Sequence, residues 1–225
     1  MAIISCSCSN NSFTMATTMG KAQQDLLAKL GTNIETGLSR DEASKRRQEG
    51  DAFNVVDPPI NCPAWVCCLL PCIKSIPSMK KFREIQPEDA EVLREGRWVR
   101  YDAASLVSGD IIRLVSHDCV PADCVMLSLD AGEDEMLIDV RAVTGEDKPR
   151  SIIPNDEGVV LPMKLYYGGS VLQGSGIAVV TAVGPNTLLA SLIRNKKFPP
   201  KERILIAEDE EAGVPLVGDT ENRII

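Results

Sequence analysis

The turn Thr144-Gly145-Glu146-Asp147 places two neighbouring carboxylates behind a glycine. By residue type it is a tight turn in which Gly145 supplies an unusual backbone conformation and Glu146 is solvated. A carboxylate can also align a water and take its proton. What surrounds the turn decides between these. Asp147 beside Glu146 disfavours ionising both groups and repels an incoming anion unless a cation intervenes.

Thiols are the other reactive groups, and the chain has eight cysteines. Cys6 and Cys8 lie in a polar leader, Cys119 and Cys124 flank Pro121-Ala122-Asp123, and Cys62, Cys67, Cys68 and Cys72 crowd one segment. An even count invites a disulfide framework, but a chain of this size without an export signal is expected to keep its thiols reduced. Zinc fits poorly, since Cys62-x4-Cys67-Cys68-x3-Cys72 has no separated CxxC pairs and adjacent thiolates rarely give tetrahedral geometry. No metal or cofactor is expected.

A length of 225 residues with 44% hydrophobic and 25% charged side chains suits one main domain with appendages. The net charge of -8 argues against nucleic acid as a partner, because neutralising phosphates takes a clustered basic surface. No apolar run approaches the ~20 residues of a membrane-spanning helix, so a self-contained ion pump is not expected. The N-terminus lacks the basic cluster and apolar run of a secretory signal, its Ser/Thr-rich opening lacks the arginines of a transit peptide, and Ala2 excludes N-myristoylation.

These residues need elements to position them. Residues 1–20 form a leader expected to be disordered. Leu26, Leu27 and Leu30 fall at helical spacing before Gly31, and Ser39-Arg40-Asp41-Glu42 has the form of a capping box opening a second helix over about 40–49. These helices define an N-terminal segment, 21–57. From Arg97 the period becomes strand-like: Trp98–Tyr101, Ile111–Val115, Cys124–Leu129, Met136–Val140 and Gly176–Val183 are short β-prone runs separated by turn residues. The fold class is mainly β, a jelly-roll-like domain over 84–194 with short N-terminal helices, α+β overall. Residues 195–225, with an acidic run at Glu208 to Glu211, are expected to be a flexible tail.

Residues 58–83 hold about a dozen apolar residues broken by Pro63 and Pro71, too short to span a bilayer, followed by Lys74, Lys80, Lys81 and Arg83. An apolar, Cys-rich stretch followed by a basic one is the pattern of a membrane-surface anchor, with Cys62, Cys67, Cys68 and Cys72 as S-acylation candidates and the basic residues as contacts for anionic lipid. The alternative is an apolar loop buried against the β domain, its cysteines acting as small hydrophobes.

Six segments then arrive in a revealing order: Val107 to Ile112 with Ser108-Gly109-Asp110, Val120-Pro121-Ala122-Asp123, Ala142 to Glu146, Gly168-Gly169-Ser170-Val171 with Gly174, Val180-Thr181, and Gly184-Pro185-Asn186-Thr187. Over about 84–194 this resembles the actuator domain of P-type ATPases. Gly37-Leu38-Ser39, Glu42-Ala43, Arg46, Gly50 and Asn54 resemble the N-terminal segment of the cation-transporting members, with Arg47 where an apolar residue is usual. The resemblance implies a cytoplasmic jelly-roll domain whose Thr-Gly-Glu loop meets an aspartyl phosphate on another domain. By position Glu146 would orient or deprotonate the attacking water, and Thr144 and Gly145 would shape the loop. Asp110 and Asp123 are expected to hold turns.

The chain departs from the family at Asp147, where serine is usual, at Arg141, where a small polar residue is usual, and at Ser191, where glycine is common. Its 225 residues contain no Asp-Lys-Thr-Gly and nothing like a nucleotide-binding loop. The expectation is a stand-alone actuator-like protein without ATPase activity, peripheral on the cytosolic face of a membrane. Its partner would be a P-type ATPase or other membrane transporter. The alternatives are a split or truncated pump supplying Glu146 in trans, and an interaction scaffold.

Overall fold

The computed structural model describes residues 19–49, 53–61 and 76–200. Among them are nine strands in two antiparallel sheets and five short α-helices, the mainly β architecture expected. The helices are α1 (Lys21–Leu30), α2 (Arg40–Glu49), α3 (Pro77–Glu84), α4 (Arg141–Thr144) and α5 (Leu188–Arg194). The strands are β1 (Asp89–Arg94), β2 (Arg97–Asp102), β3 (Ile111–Leu114), β4 (Asp123–Leu129), β5 (Met136–Asp139), β6 (Arg150–Ile152), β7 (Lys164–Leu165), β8 (Ser170–Gln173) and β9 (Gly176–Ala182). The larger sheet runs β2-β1-β3-β9-β4-β7 and the smaller β6-β5-β8.

Burial explains why the central strands read as continuous apolar runs. One face of the large sheet, with Val92, Ile112, Leu114, Met126, Ala178 and Val180, packs on Met136, Ile138, Ile152 and Val171 of the small sheet. The opposite face, with Leu93, Ile111, Val125, Leu127, Ile177 and Val179, is covered by Leu27 of α1 and its neighbours Leu26 and Leu30. Strands buried on both faces lose the alternation of a half-exposed sheet. The β1–β2 hairpin turns on Glu95 (φ 52) and Gly96 (φ 72), the two positive values that a two-residue turn of the strand-matching kind requires.

The N-terminal helices are fastened to this core by polar contacts as well. Gln23 is fully buried, and its amide donates to the carbonyls of Met126, Leu127 and Val160 at 3.1, 2.9 and 2.9 Å. Gly31 ends α1 in the left-handed region, φ 59. Ser39 Oγ accepts from Glu42 N at 3.1 Å, as the capping pattern predicts, while the Glu42 carboxylate takes Arg46 Nε at 3.0 Å. Arg47 donates to Ser105 O at 2.8 Å and lies over the Phe53 ring, which is how a charged residue serves at a position where an apolar one is usual.

A third apolar cluster matters most for the site. Phe82 and Ile85 of the α3 region, Val143 of α4, Tyr167, Leu189 of α5 and Phe198 pack together, with the Phe82 and Phe198 rings edge to face at 6.4 Å. Val143 thereby anchors the turn carrying Thr144, Gly145 and Glu146 to a rigid helical corner.

Candidate functional site

The loop is built on the last turn of α4. Thr144 N donates to Val140 O at 2.9 Å, Thr144 Oγ1 donates to the same carbonyl at 3.1 Å, and Gly145 N donates to Arg141 O at 3.0 Å. Gly145 closes the helix in the left-handed region at φ 76, the conformation its residue type predicts. A Cβ there would also stand 3.0 Å from Cβ of Pro200. The chain leaves Gly145 with Glu146 N donating to Thr144 Oγ1 at 3.4 Å. Thr144, Gly145 and Glu146 are thus one structural unit.

Glu146 does not stand alone. Both of its carboxylate oxygens are taken by Arg150, Oε1 from Nη2 at 2.6 Å and Oε2 from Nε at 2.9 Å. The third arm of that guanidinium, Nη1, donates to Lys164 O at 2.8 Å, and its carbon lies 5.2 Å from the centre of the Tyr166 ring. Hydrogen bonding to Arg150 holds the Glu146 carboxyl below the usual carboxylate range, against a smaller opposing effect of burial. Asp147 therefore does not keep Glu146 protonated. The cation that two adjacent carboxylates call for is four residues downstream, and sequence reasoning overlooked it. The signal available was the Glu-to-Arg spacing of four, which suggests pairing when the residues share a helix; here the pair forms across a loop.

Arg141 points the other way. Its Nη2 donates to Asp147 O at 3.0 Å, bracing the far side of the turn. Beside the loop opens a cleft of about 430 Å³ lined by Pro77 and Lys81 of α3, Arg141, Gly145, Asp147, Pro199 and Pro200. Of the basic residues proposed for membrane contact, Lys81 faces this cleft, and Lys80 and Arg83 are exposed on α3. Cys62, Cys67, Cys68, Cys72 and Lys74 lie outside the described residues.

Of the two aspartates expected to hold turns, Asp110 does so, and Asp123 joins segments distant in sequence instead. Asp110 accepts from Val107 N at 2.9 Å and pairs with Arg94. Asp123 accepts from Tyr167 N at 2.9 Å and Leu188 N at 2.7 Å, tying β4 to the start of α5, while burial pushes its carboxyl above the usual range. Cys119 and Cys124 are free thiols; burial pushes Cys119 up to about 12 and Cys124 further still. Neither has the thiolate character of a reactive cysteine. Among the described residues no group of three or more His, Cys, Asp or Glu could hold a metal ion, and no helix is long and apolar enough to cross a membrane.

The Thr-Gly-Glu turn is thus fixed at a helical corner of a mainly β domain, with Gly145 and Asp147 lining an open cleft. The family model of the P-type ATPase actuator domain matches residues 84–197, and the chain belongs to that family. Among solved structures it is similar to a zinc-transporting PIB-type ATPase in the E2.Pi state, at 22% identity and a TM-score of 0.42, over 56% of this chain and 20% of that one. The chain thus spans about a fifth of that pump's length.

Proposed function

We propose that this chain serves as an actuator module that docks on a phosphorylated P-type cation pump as partner or regulator, at the cytosolic face of a membrane, with no ATPase activity of its own. The observation carrying this reading is the state of Glu146, presented on a rigid corner but bound at both oxygens by Arg150. A carboxylate so engaged has one acceptor site on each oxygen committed to Arg150 and is a weaker base for a water, which favours binding over turnover in the free chain. Lys80, Lys81 and Arg83, following the thiols of Cys62, Cys67, Cys68 and Cys72, support placement against an anionic membrane surface.

A second reading has its own support. Glu146 is ionised and its side chain is 41% exposed, so a docked partner can reach it. In that case the oxygen of a water bonds to phosphorus of the partner's aspartyl phosphate, the P–O bond to the aspartate breaks with its electron pair leaving on the carboxylate, and Glu146 takes the water's proton.

One experiment addresses both. The full chain is added to a phosphorylated P-type pump whose own loop glutamate is replaced by glutamine, and binding and phosphate loss are followed together. Binding with unchanged phosphate loss is the expected result. Acceleration by wild type, absent in Glu146→Gln, would establish hydrolysis in trans. Failure to bind any cation pump would leave an interaction scaffold.

A further inference from the structure

We propose that Arg150 is a phosphoryl-binding residue held in reserve by Glu146, and that an arriving phosphoryl group takes the guanidinium and thereby releases the carboxylate. This rests on the actuator reading and concerns how that same loop is controlled. Nothing in the Thr-Gly-Glu turn itself supplies a positive charge; Arg141 bonds a backbone carbonyl of the loop, and Arg150 is the cation bonded to the Glu146 carboxylate.

The geometry allows an exchange rather than a disruption. Arg150 is secured from its far side, with Nη1 on Lys164 O at 2.8 Å and the Tyr166 ring 5.2 Å away, so its position does not depend on Glu146. The edge offered to Glu146 is the Nε–Nη2 fork, with bonds of 2.9 and 2.6 Å. That planar fork matches a phosphoryl group as well as a carboxylate. The pair is open to solvent, its side chains 23% and 41% exposed, so the competing ion needs no path through the core. The pair is bidentate but reachable by water and salt, and a phosphoryl group competes for the same fork with more negative charge than the carboxylate it replaces. Arg141 and Lys81 line the cleft on the Gly145 and Asp147 side of the turn and add longer-range positive potential around the loop.

The consequence is a loop that is closed when alone and open when docked. Glu146, displaced from Arg150, regains both oxygens for a water at the moment that a phosphorus centre is present to be attacked.

The test needs no pump. In the full-length chain at neutral pH, the Arg150 Nε–H resonance, assigned by its loss in Arg150→Lys, and the Glu146 side-chain carboxyl resonance, assigned with Glu146→Gln, are followed by NMR as inorganic phosphate is added, with chloride at matched ionic strength as control. Both signals are expected to shift saturably with one half-saturation concentration. Glu146→Gln should lower that concentration several-fold, because the competitor is gone, and Arg150→Met should abolish the carboxyl response. Signals that stay at their chloride values, a Glu146→Gln chain that binds phosphate no more tightly, or a response that persists in Arg150→Met through Lys81 and Arg141 would each overturn the proposal. The wild-type titration and the Glu146→Gln comparison decide the matter even if Arg150→Met does not fold. A pump that ignores the chain would sink the docking reading and leave this result standing.

Discussion

Arg94 and Asp110 form a doubly hydrogen-bonded ion pair buried on both sides, with Nη2–Oδ2 at 2.6 Å and Nε–Oδ1 at 3.0 Å and side-chain exposures of 6% and 0%. Asp110 also accepts from Val107 N, and the Arg94 guanidinium lies 4.8 Å from the centre of the Tyr101 ring. Removing one partner strands the other charge in the interior, a loss of about 3–5 kcal/mol. Asp110→Ala is therefore expected to lower the denaturant midpoint strongly. Replacing both residues with apolar side chains should cost less than Asp110→Ala alone. A double variant as unstable as the single one would show that the backbone bond to Val107, and not the charge pair, is what matters.

Gln23 occupies a comparable position for the N-terminal helices. Its amide nitrogen donates to three carbonyls, those of Met126 and Leu127 in β4 and of Val160 in the connection between β6 and β7. Gln23→Leu keeps the bulk and removes the donor, at an expected cost of about 1–3 kcal/mol for the carbonyls left buried. Urea unfolding followed by far-UV circular dichroism measures this. A negligible change would mean that α1 is not integral to the domain.

The central strands were legible because their runs are long, β-branched and bounded by turns, as in Gly176-Ile177-Ala178-Val179-Val180. Strand β1 was not, since Asp89-Ala90-Glu91-Val92-Leu93-Arg94 carries charges at helix-compatible spacing and only its pairing with β2 makes it a strand. The three-residue β6 and two-residue β7 give no periodicity to read at all. Helix α3 lay hidden within a segment read for its charge, although Pro77 at its first turn and Phe82 at its buried face are ordinary helix features. At the site, the Thr-Gly-Glu turn could be found by type and order. Arg150 was harder to find, because the spacing of four from Glu146 counts as a pairing signal only on a helix and this pair spans a loop, and its anchors on Lys164 and Tyr166 come from another part of the chain.

Gly145→Ala tests the shape of the loop. At φ 76 an L-residue costs about 1–2 kcal/mol, and the new methyl would also meet Pro200 at 3.0 Å. Gly132 is the control: its φ of 92 imposes the backbone penalty, but a Cβ there meets nothing within 4 Å. Gly145→Ala should destabilise the chain more than Gly132→Ala, as read from paired thermal melts. Equal losses would mean that the Pro200 contact yields freely.

Membrane association should require two signals acting together, because one acyl chain anchors only marginally and each basic residue near an anionic surface adds roughly 1 kcal/mol. Replacing Cys67, Cys68 and Cys72 by serine together with Lys80 and Lys81 by glutamate is expected to move the protein from the membrane pellet to the supernatant. Lys80 is exposed and Lys81 lines the cleft, so neither change disturbs the core. Wild type found wholly in the soluble fraction would end the membrane-surface reading.

The pH dependence of stability separates the two perturbed carboxylates by sign. Glu146 has a folded pKa lowered by its bond to Arg150, so its contribution is fully present above the unfolded value of ~4.3 and is lost as pH falls through the folded value. Asp123 has a folded pKa raised by burial, in spite of the two backbone donors that lower it, so its ionisation works against folding. As pH falls through that raised value, protonation relieves the penalty. The stability difference between wild type and Glu146→Gln should accordingly shrink on acidification through the carboxylate range. Against Asp123→Asn, the wild type should instead gain over the upper part of that range. Unfolding midpoints measured from neutral to mildly acidic pH give both curves. A Glu146→Gln difference that stays constant with pH would mean that Arg150 does not hold the carboxylate in solution.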